Sequence, residues 1–353
     1  MKKKVMCGNV AIGGGAPLSI QSMTNTDTRD VKSSLEQIRR LAEAGCQIVR
    51  LAVPDMEAAQ AFGRIKKESP LPMVADIHFD YRLAIESLKQ GADKIRINPG
   101  NIGDVQRVAQ VVAEAKTRQV PIRVGVNSGS LEKDILEKYG HVTAEGLAES
   151  ALRSVKLVED LGYDNLVISL KSSDVKLNYD AYRIVWEKSP YPLHIGITES
   201  GTAESGRLKS AVGIGSLLLA GIGDTMRVSL TADPVKEIYL AREILKACGL
   251  RKAGINLISC PTCGRTRLNL EAIAGEFSDR LAELEEKREK KGLPPITVAI
   301  MGCAVNGPGE AREADYGLAG GEGKAVIFAK GQILMTVGED EALSQLIKLI
   351  VEN

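Results

Sequence analysis

Eight times in succession, between residues 17 and 248, a short run of β-branched and aliphatic residues is followed by a segment with helical periodicity. The runs cover residues 17–23, 48–53, 72–77, 94–98, 121–126, 165–170, 193–198 and 225–230; the helical segments cover 31–44, 56–67, 81–90, 105–118, 143–161, 179–187, 203–219 and 234–248. Such alternation builds a parallel sheet, because each helix carries the chain back to the start of the next strand. Eight units in about 250 residues match the size and count of a (β/α)8 TIM barrel. A doubly wound open sheet is the alternative, but it usually carries a glycine-rich phosphate turn after its first strand. Here Gln21-Ser-Met-Thr-Asn-Thr26 follows instead. Residues 4–12 read as a strand pair or plug ahead of the barrel.

After Gly249 the rhythm breaks. The pattern predicts a strand at 255–258, a long helix at 270–291, a strand at 296–301, a small meander through 316–337 and a closing helix at 341–352. The expected organisation is therefore a barrel over residues 1–250 and a smaller α+β domain over 251–353. Cys260-Pro-Thr-Cys263 and Cys303-Ala-Val-Asn-Gly-Pro-Gly-Glu310 stand just past two strand ends of that second domain. Thiolates are soft ligands that select zinc, copper(I) or iron–sulfur clusters. No histidine follows His194, so a Cys3His zinc set cannot form here. Three thiolates with one exchangeable carboxylate suit an iron–sulfur cluster better than a closed structural zinc site. Spacing alone leaves zinc and ordinary thiols open. Cys7, Cys46 and Cys248 carry no partner motif and read as small core or surface residues.

Composition narrows the class of partner. The net charge of +1 argues against a nucleic-acid or anionic-membrane field, and 4% aromatic residues argue against base stacking. Six cysteines in 353 residues fit a reducing compartment rather than a secreted disulfide scaffold. Met1-Lys-Lys-Lys opens like a signal peptide, but Asn9 and the glycines 13–15 interrupt any apolar stretch. The expectation is a cytoplasmic protein that does not enter the membrane.

Barrel strands should read as continuous apolar runs. Arg50, Arg96, Arg123, Lys171 and Arg227 break that rule in five different strands. Converging cations at the C-terminal mouth suit a polyanion such as a diphosphate, because arginine forks match phosphate oxygens. The plainer reading is internal ion pairing with Asp76, Glu199 or Asp224. Asp76-Ile-His78, His194 and Glu199 are further candidates, Glu199 for moving a proton or pairing with a mouth arginine. His78 and His194 could equally be satisfied core residues.

Seven blocks together resemble one family. They are Gln21-Ser-Met-Thr-Asn-Thr-Asp27, Val49-Arg-Leu-Ala-Val-Pro54, Ala75-Asp-Ile-His-Phe-Asp80, Ile95-Arg-Ile-Asn-Pro-Gly-Asn101, Ile122-Arg-Val-Gly-Val-Asn-Ser-Gly-Ser130, Ser259-Cys-Pro-Thr-Cys-Gly-Arg-Thr266 and Met301-Gly-Cys-Ala-Val-Asn-Gly-Pro-Gly-Glu310. The chain resembles the bacterial 4-hydroxy-3-methylbut-2-enyl diphosphate synthase family of the non-mevalonate isoprenoid pathway. It lacks the extra domain of plant-type members. The resemblance implies reductive opening and dehydration of 2-C-methyl-D-erythritol 2,4-cyclodiphosphate. It implies a [4Fe-4S] cluster on Cys260, Cys263, Cys303 and Glu310. It implies diphosphate binding by Arg50, Arg96, Arg123, Asn127 and Lys171, acid–base work by Glu199, and a substrate contact from Asn306. It further implies electrons from flavodoxin or ferredoxin, and a homodimer in which the cluster domain of one chain closes over the barrel of the other. The rival is a zinc-stabilised aldolase with Lys171 as its Schiff-base lysine. A non-catalytic iron–sulfur module would leave the five cations unexplained.

Overall fold

The computed structural model describes residues 1–198, 201, 203–251, 254–303, 311–321 and 323–353. The chain divides into two units, Met1–Cys248 and Gly249–Asn353.

In the first unit a hairpin of β1 (Val5–Cys7) and β2 (Val10–Ile12) precedes eight parallel strands. These are β3 (Ser19–Met23), β4 (Ile48–Ala52), β5 (Met73–Asp76), β6 (Lys94–Ile97), β7 (Ile122–Asn127), β8 (Leu166–Lys171), β9 (His194–Ile195) and β10 (Thr225–Met226). They pair in the order β8-β7-β6-β5-β4-β3-β10-β9, and a bridge between Ile168 and Leu193 closes the ring. Side chains alternate across each strand. Val49, Leu51, Ala75, Ile95, Ile97 and Val124 join one continuous core with Leu35, Ile38, Phe62 and Leu88 of the surrounding helices. The residues between them, Arg50, Asp76, Lys94, Arg96 and Arg123, are also buried, so the pleat turns them into the barrel lumen. Cys7 and Ile12 of the hairpin pack on Ile48 and Val74 and plug the N-terminal end.

Six barrel helices start at an aspartate whose carboxylate accepts a backbone N–H from the first turn: Asp30, Asp55, Asp80, Asp104, Asp174 and Asp233. Each such cap contributes about 1 kcal/mol. All six stand in strand-to-helix loops, so they fix where the mouth loops end.

Two strands are shorter than their sequence runs. β9 and β10 end after two residues each, although the chain stays close beyond them. A Cβ on Gly196 would lie 2.6 Å from the Arg227 carbonyl oxygen. Two short helices, Pro99–Ile102 and Lys133–Tyr139, occupy mouth loops that read as irregular. The helix Val175–Lys188 begins four residues before its expected start, because Asp174 caps it and Asn178 turns inward to accept from the Ser172 N–H.

The second unit carries β11 (Ile255–Ser259), the helix Leu270–Lys290, β12 (Ile296–Met301), β13 (Tyr316–Gly320), β14 (Lys324–Ala329), β15 (Gln332–Gly338) and the helix Glu339–Glu352. Its sheet runs β11-β12-β13-β14-β15, with the first three strands parallel and the last three an antiparallel meander. Phe277, Val298, Ile300, Leu318, Leu346 and Ile350 form its own core. Among the described residues no helix is long and apolar enough to cross a membrane.

Candidate active site

The cations read from the strands do meet at the C-terminal mouth. Register sets Asp76 beside Arg96, Arg96 beside Arg123, and Asn127 beside Lys171. Asp76 is the hub. Its carboxylate lies 3.7 Å from Arg50 Nε, 3.4 Å from Arg96 Nη1 and 3.5 Å from His78 Nε2. Arg50 also donates to Met23 Sδ, from Nε at 3.1 Å and Nη2 at 2.9 Å, and Arg227 reaches the same sulfur at 3.5 Å. Two guanidinium groups thus share one soft, uncharged acceptor that leaves their charge intact.

The ion pairing weighed at the outset is realised only in part. Arg50 and Arg96 pair with Asp76, whereas Arg123 and Lys171 have no ion-pair partner among the described residues. Asp224 is not a mouth residue: it stands at the start of β10 and accepts from the Leu193 N–H at 2.8 Å. Arg227 pairs instead with Glu237, at 3.6 Å, a helix residue that also accepts from Ser22 Oγ and the Leu230 N–H. Sequence reading missed Glu237. Its signal was a carboxylate on the apolar face of the helix Pro234–Ala247, where it is buried with Ile238 and Ala241. The glycines were missed as well. A Cβ on Gly125 would lie 2.6 Å from Arg96 Nε, and one on Gly196 3.3 Å from Lys171 Nζ. Both cations lie where only a glycine leaves room.

Electrostatics follow from burial. Desolvation would raise Asp76, but Arg50, the His78 hydrogen bond, Arg96 and Arg123 together hold it far below the usual carboxylate range. Burial, then Arg50, Arg123, Arg227 and Arg96, push the Lys171 ammonium well below its ordinary pKa. Burial and two neighbouring arginines act against charge on Arg123, which a guanidinium nevertheless keeps. Five cations, three of them paired with two carboxylates and two without an ion-pair partner among the described residues, make a shielded site for a multiply charged anion. His78 stands half-exposed at the rim, and His194 is wholly buried. Glu199, Asn306 and Glu310 lie outside the described residues.

The thiols gather at the ends of two neighbouring parallel strands of the second unit. Ser259 registers with Ile300, which brings Cys260 level with the turn leading to Cys303. The Gly302 N–H donates to Cys260 Sγ at 3.2 Å. The Cys263 turn is held by Thr266, whose Oγ1 accepts from the Cys263 N–H at 3.0 Å and whose own N–H donates to the Cys263 carbonyl. Cys303 is buried, Cys260 partly so, and Cys263 is exposed, its thiol lowered by bonding to Arg265. Among the described residues no three His, Cys, Asp or Glu side chains converge as one metal ion would require. A polynuclear core spreads its ligands more widely over separate metal atoms. A backbone N–H to the Cys260 sulfur, and thiols set on the turns after two neighbouring strands, are compatible with an iron–sulfur core.

A 620 Å³ cleft on the outer helices, lined by Tyr139, Glu149, Arg153 and Lys156, is not a rival site. Its Glu149, Arg153 and Lys156 pair with one another or with Lys138, Asp134 and Asp160.

The GcpE TIM-barrel domain model matches residues 2–242 and the GcpE protein C-terminal domain model matches residues 256–352. The chain belongs to the GcpE family. A GcpE relative from Geobacter sulfurreducens, named 4-hydroxy-3-methylbut-2-en-1-yl diphosphate synthase (flavodoxin), is 56% identical over 99% of this chain and 98% of its own length. One of the same name from Caldanaerobacter subterraneus subsp. tengcongensis is 55% identical over 99% of this chain and 96% of its own. Among solved structures, dihydropteroate synthase from Coxiella burnetii superposes with a TM-score of 0.52 at 12% identity, over 70% of this chain and 97% of that one. The Yersinia pestis enzyme gives 0.51 at 13% identity, over 71% and 100%. These two share the barrel fold with the GcpE chain and nothing more.

Proposed function

We propose that this GcpE chain converts 2-C-methyl-D-erythritol 2,4-cyclodiphosphate to 4-hydroxy-3-methylbut-2-enyl diphosphate, with reduced flavodoxin or ferredoxin as electron donor. The observation that carries the reading is the mouth itself, where Arg50, Arg96, Arg123, Lys171 and Arg227 converge with two carboxylates paired to them among the described residues. Arg123 and Lys171, without ion-pair partners among the described residues, take the diphosphate oxygens; Asn127, in register with Lys171, orients the same group. Asp76 holds Arg50 and Arg96 in place and stays ionised while doing so.

Cys260, Cys263, Cys303 and Glu310 would hold a [4Fe-4S] cluster, which when bound supplies electrons one at a time and an exchangeable iron position. Two electrons enter, the bond between a ring carbon and its phosphate oxygen breaks, and the freed oxygen stays on the product diphosphate. A hydroxyl departs as water with a proton supplied in the site, a task assigned to Glu199. Asn306 contacts the substrate from the second unit. The protein works in the cytoplasm as a homodimer, the second unit of one chain serving the barrel of its partner. An exposed stripe of Leu208, Val212 and Leu219 along the helix Ala203–Leu219 supports self-association.

The test is anaerobic turnover of the cyclic diphosphate with reduced flavodoxin, followed by product analysis. Formation of the allylic diphosphate is expected from iron- and sulfide-loaded protein. Turnover by zinc-loaded protein, or cleavage of a sugar phosphate without any electron donor, would favour the aldolase reading.

A further inference from the structure

Below the mouth, the lumen holds polar atoms with no hydrogen-bond partner among the described residues. They are Ser19 Oγ and both amide atoms of Gln21 on β3, Lys94 Nζ on β6, Arg123 Nε and Nη1 on β7, both ring nitrogens of His194 on β9, and Thr225 Oγ1 on β10. Each of these six residues is at most 1% exposed. Register levels Thr225 with Ser19 and with His194, so three of the strands present them to one layer.

Two of the six are cations, and no anion among the described residues is left for them. Asp76 is engaged by Arg50, Arg96 and His78. Asp93, the carboxylate nearest Lys94 in its electrostatic surroundings, is held by Lys66 and the Met73 N–H. Cys7, the other group close to Lys94, is a neutral thiol, pushed up to about 11 by burial. The charged groups around His194 are Arg123, Lys171, Lys94 and Arg50, all positive. A sealed charge without a counterion is among the costliest arrangements in a protein, and sealed, unbonded polar atoms mark the place of a water or an ion.

We propose that the lumen between Lys94, Arg123, His194 and Gln21 binds a small monovalent anion of halide size, one layer beneath the diphosphate site. The donors approach from several strands: an ammonium, a guanidinium edge, a primary amide, an imidazole N–H and two hydroxyls. A spherical anion accepts from such a set without directional demand. The acceptors of the layer, Gln21 Oε1 and one His194 ring nitrogen, are met by companion water. The anion gives Arg123 a counter-charge on its inner edge in the absence of substrate. The site is made of barrel residues alone and does not depend on which diphosphate binds above it.

The direct test is a bromide-containing crystal of the full-length protein, measured at the bromine absorption edge. An anomalous peak within hydrogen-bonding reach of Lys94 Nζ and Arg123 Nε is expected; water-level density without anomalous signal would overturn the proposal. Thermal unfolding in chloride and in gluconate at equal ionic strength gives a second reading. The melting temperature should be higher in chloride by roughly 2–4 °C, and Lys94→Met should remove the difference. Equal melting temperatures in the two salts, or a difference that survives Lys94→Met, would overturn it. Should that variant fail to fold, the bromide measurement on the unaltered protein decides.

Discussion

Lys171 sits at the last position of β8, buried among four arginines, with no ion-pair partner among the described residues. Such a side chain gains most when an anion arrives. A charge-assisted hydrogen bond is worth about 1.5–3 kcal/mol, so Lys171→Ala should raise KM roughly 10–100-fold and leave kcat much less affected. An unchanged KM would remove Lys171 from the substrate site. Glu310 makes the complementary case at the cysteines: Glu310→Cys should retain iron and sulfide yet lose turnover, and normal turnover would refute an exchangeable fourth ligand. His194 bears on stability instead. Burial among Arg123, Lys171 and Lys94 keeps it neutral, with a pKa well below the ordinary 6.5. The unfolded chain binds a proton near that value and the folded chain does not. Stability is therefore full above pH 6.5 and falls as pH drops toward the folded pKa, by up to about 1.4 kcal/mol per unit. His194→Gln should flatten that part of a denaturation-versus-pH curve, and an identical slope in the variant would place the proton elsewhere.

At the scale of the element, β7 shows how strand chemistry serves the mouth. Arg123 enters the lumen, Gly125 leaves space for the Arg96 guanidinium, and Asn127 ends the strand beside Lys171. A Cβ 2.6 Å from Arg96 Nε cannot be accommodated without moving that side chain. Gly125→Ala should raise KM about tenfold or more with little loss of melting temperature, since small displacements of a positioning group are costly; steady-state kinetics that match the parent would contradict it. The five strand cations were legible because charge in a barrel strand violates the apolar pattern, and the eight strand–helix alternations were legible because each keeps one period. Glu237 was not, because one carboxylate in a helix looks like surface until the helix is docked. Nor were Gly125 and Gly196, whose meaning lies in what approaches from the next strand. β9 and β10 were read too long because apolar runs continue after pairing stops.

Across the whole molecule, the five strand cations belong to one unit and Cys260, Cys263 and Cys303 to the other, each unit with its own core. If the second unit of one chain serves the barrel of its partner, two inactive variants should rescue each other. Mixed dimers of Glu199→Gln and Cys303→Ser chains would contain one site with an intact barrel and intact cysteines. Random reassembly should then restore about a quarter of the parental activity; no recovery in verified mixed dimers would put both halves of each site on the same chain. The account as a whole rests on iron–sulfur chemistry acting on a diphosphate held at the barrel mouth. Mössbauer spectroscopy of the anaerobic protein, with and without the cyclic diphosphate, tests this most directly. The account predicts a cubane cluster with one iron unlike the rest, whose signal changes when the diphosphate is added. A protein that holds zinc in place of iron, or a cluster indifferent to the diphosphate, would contradict it.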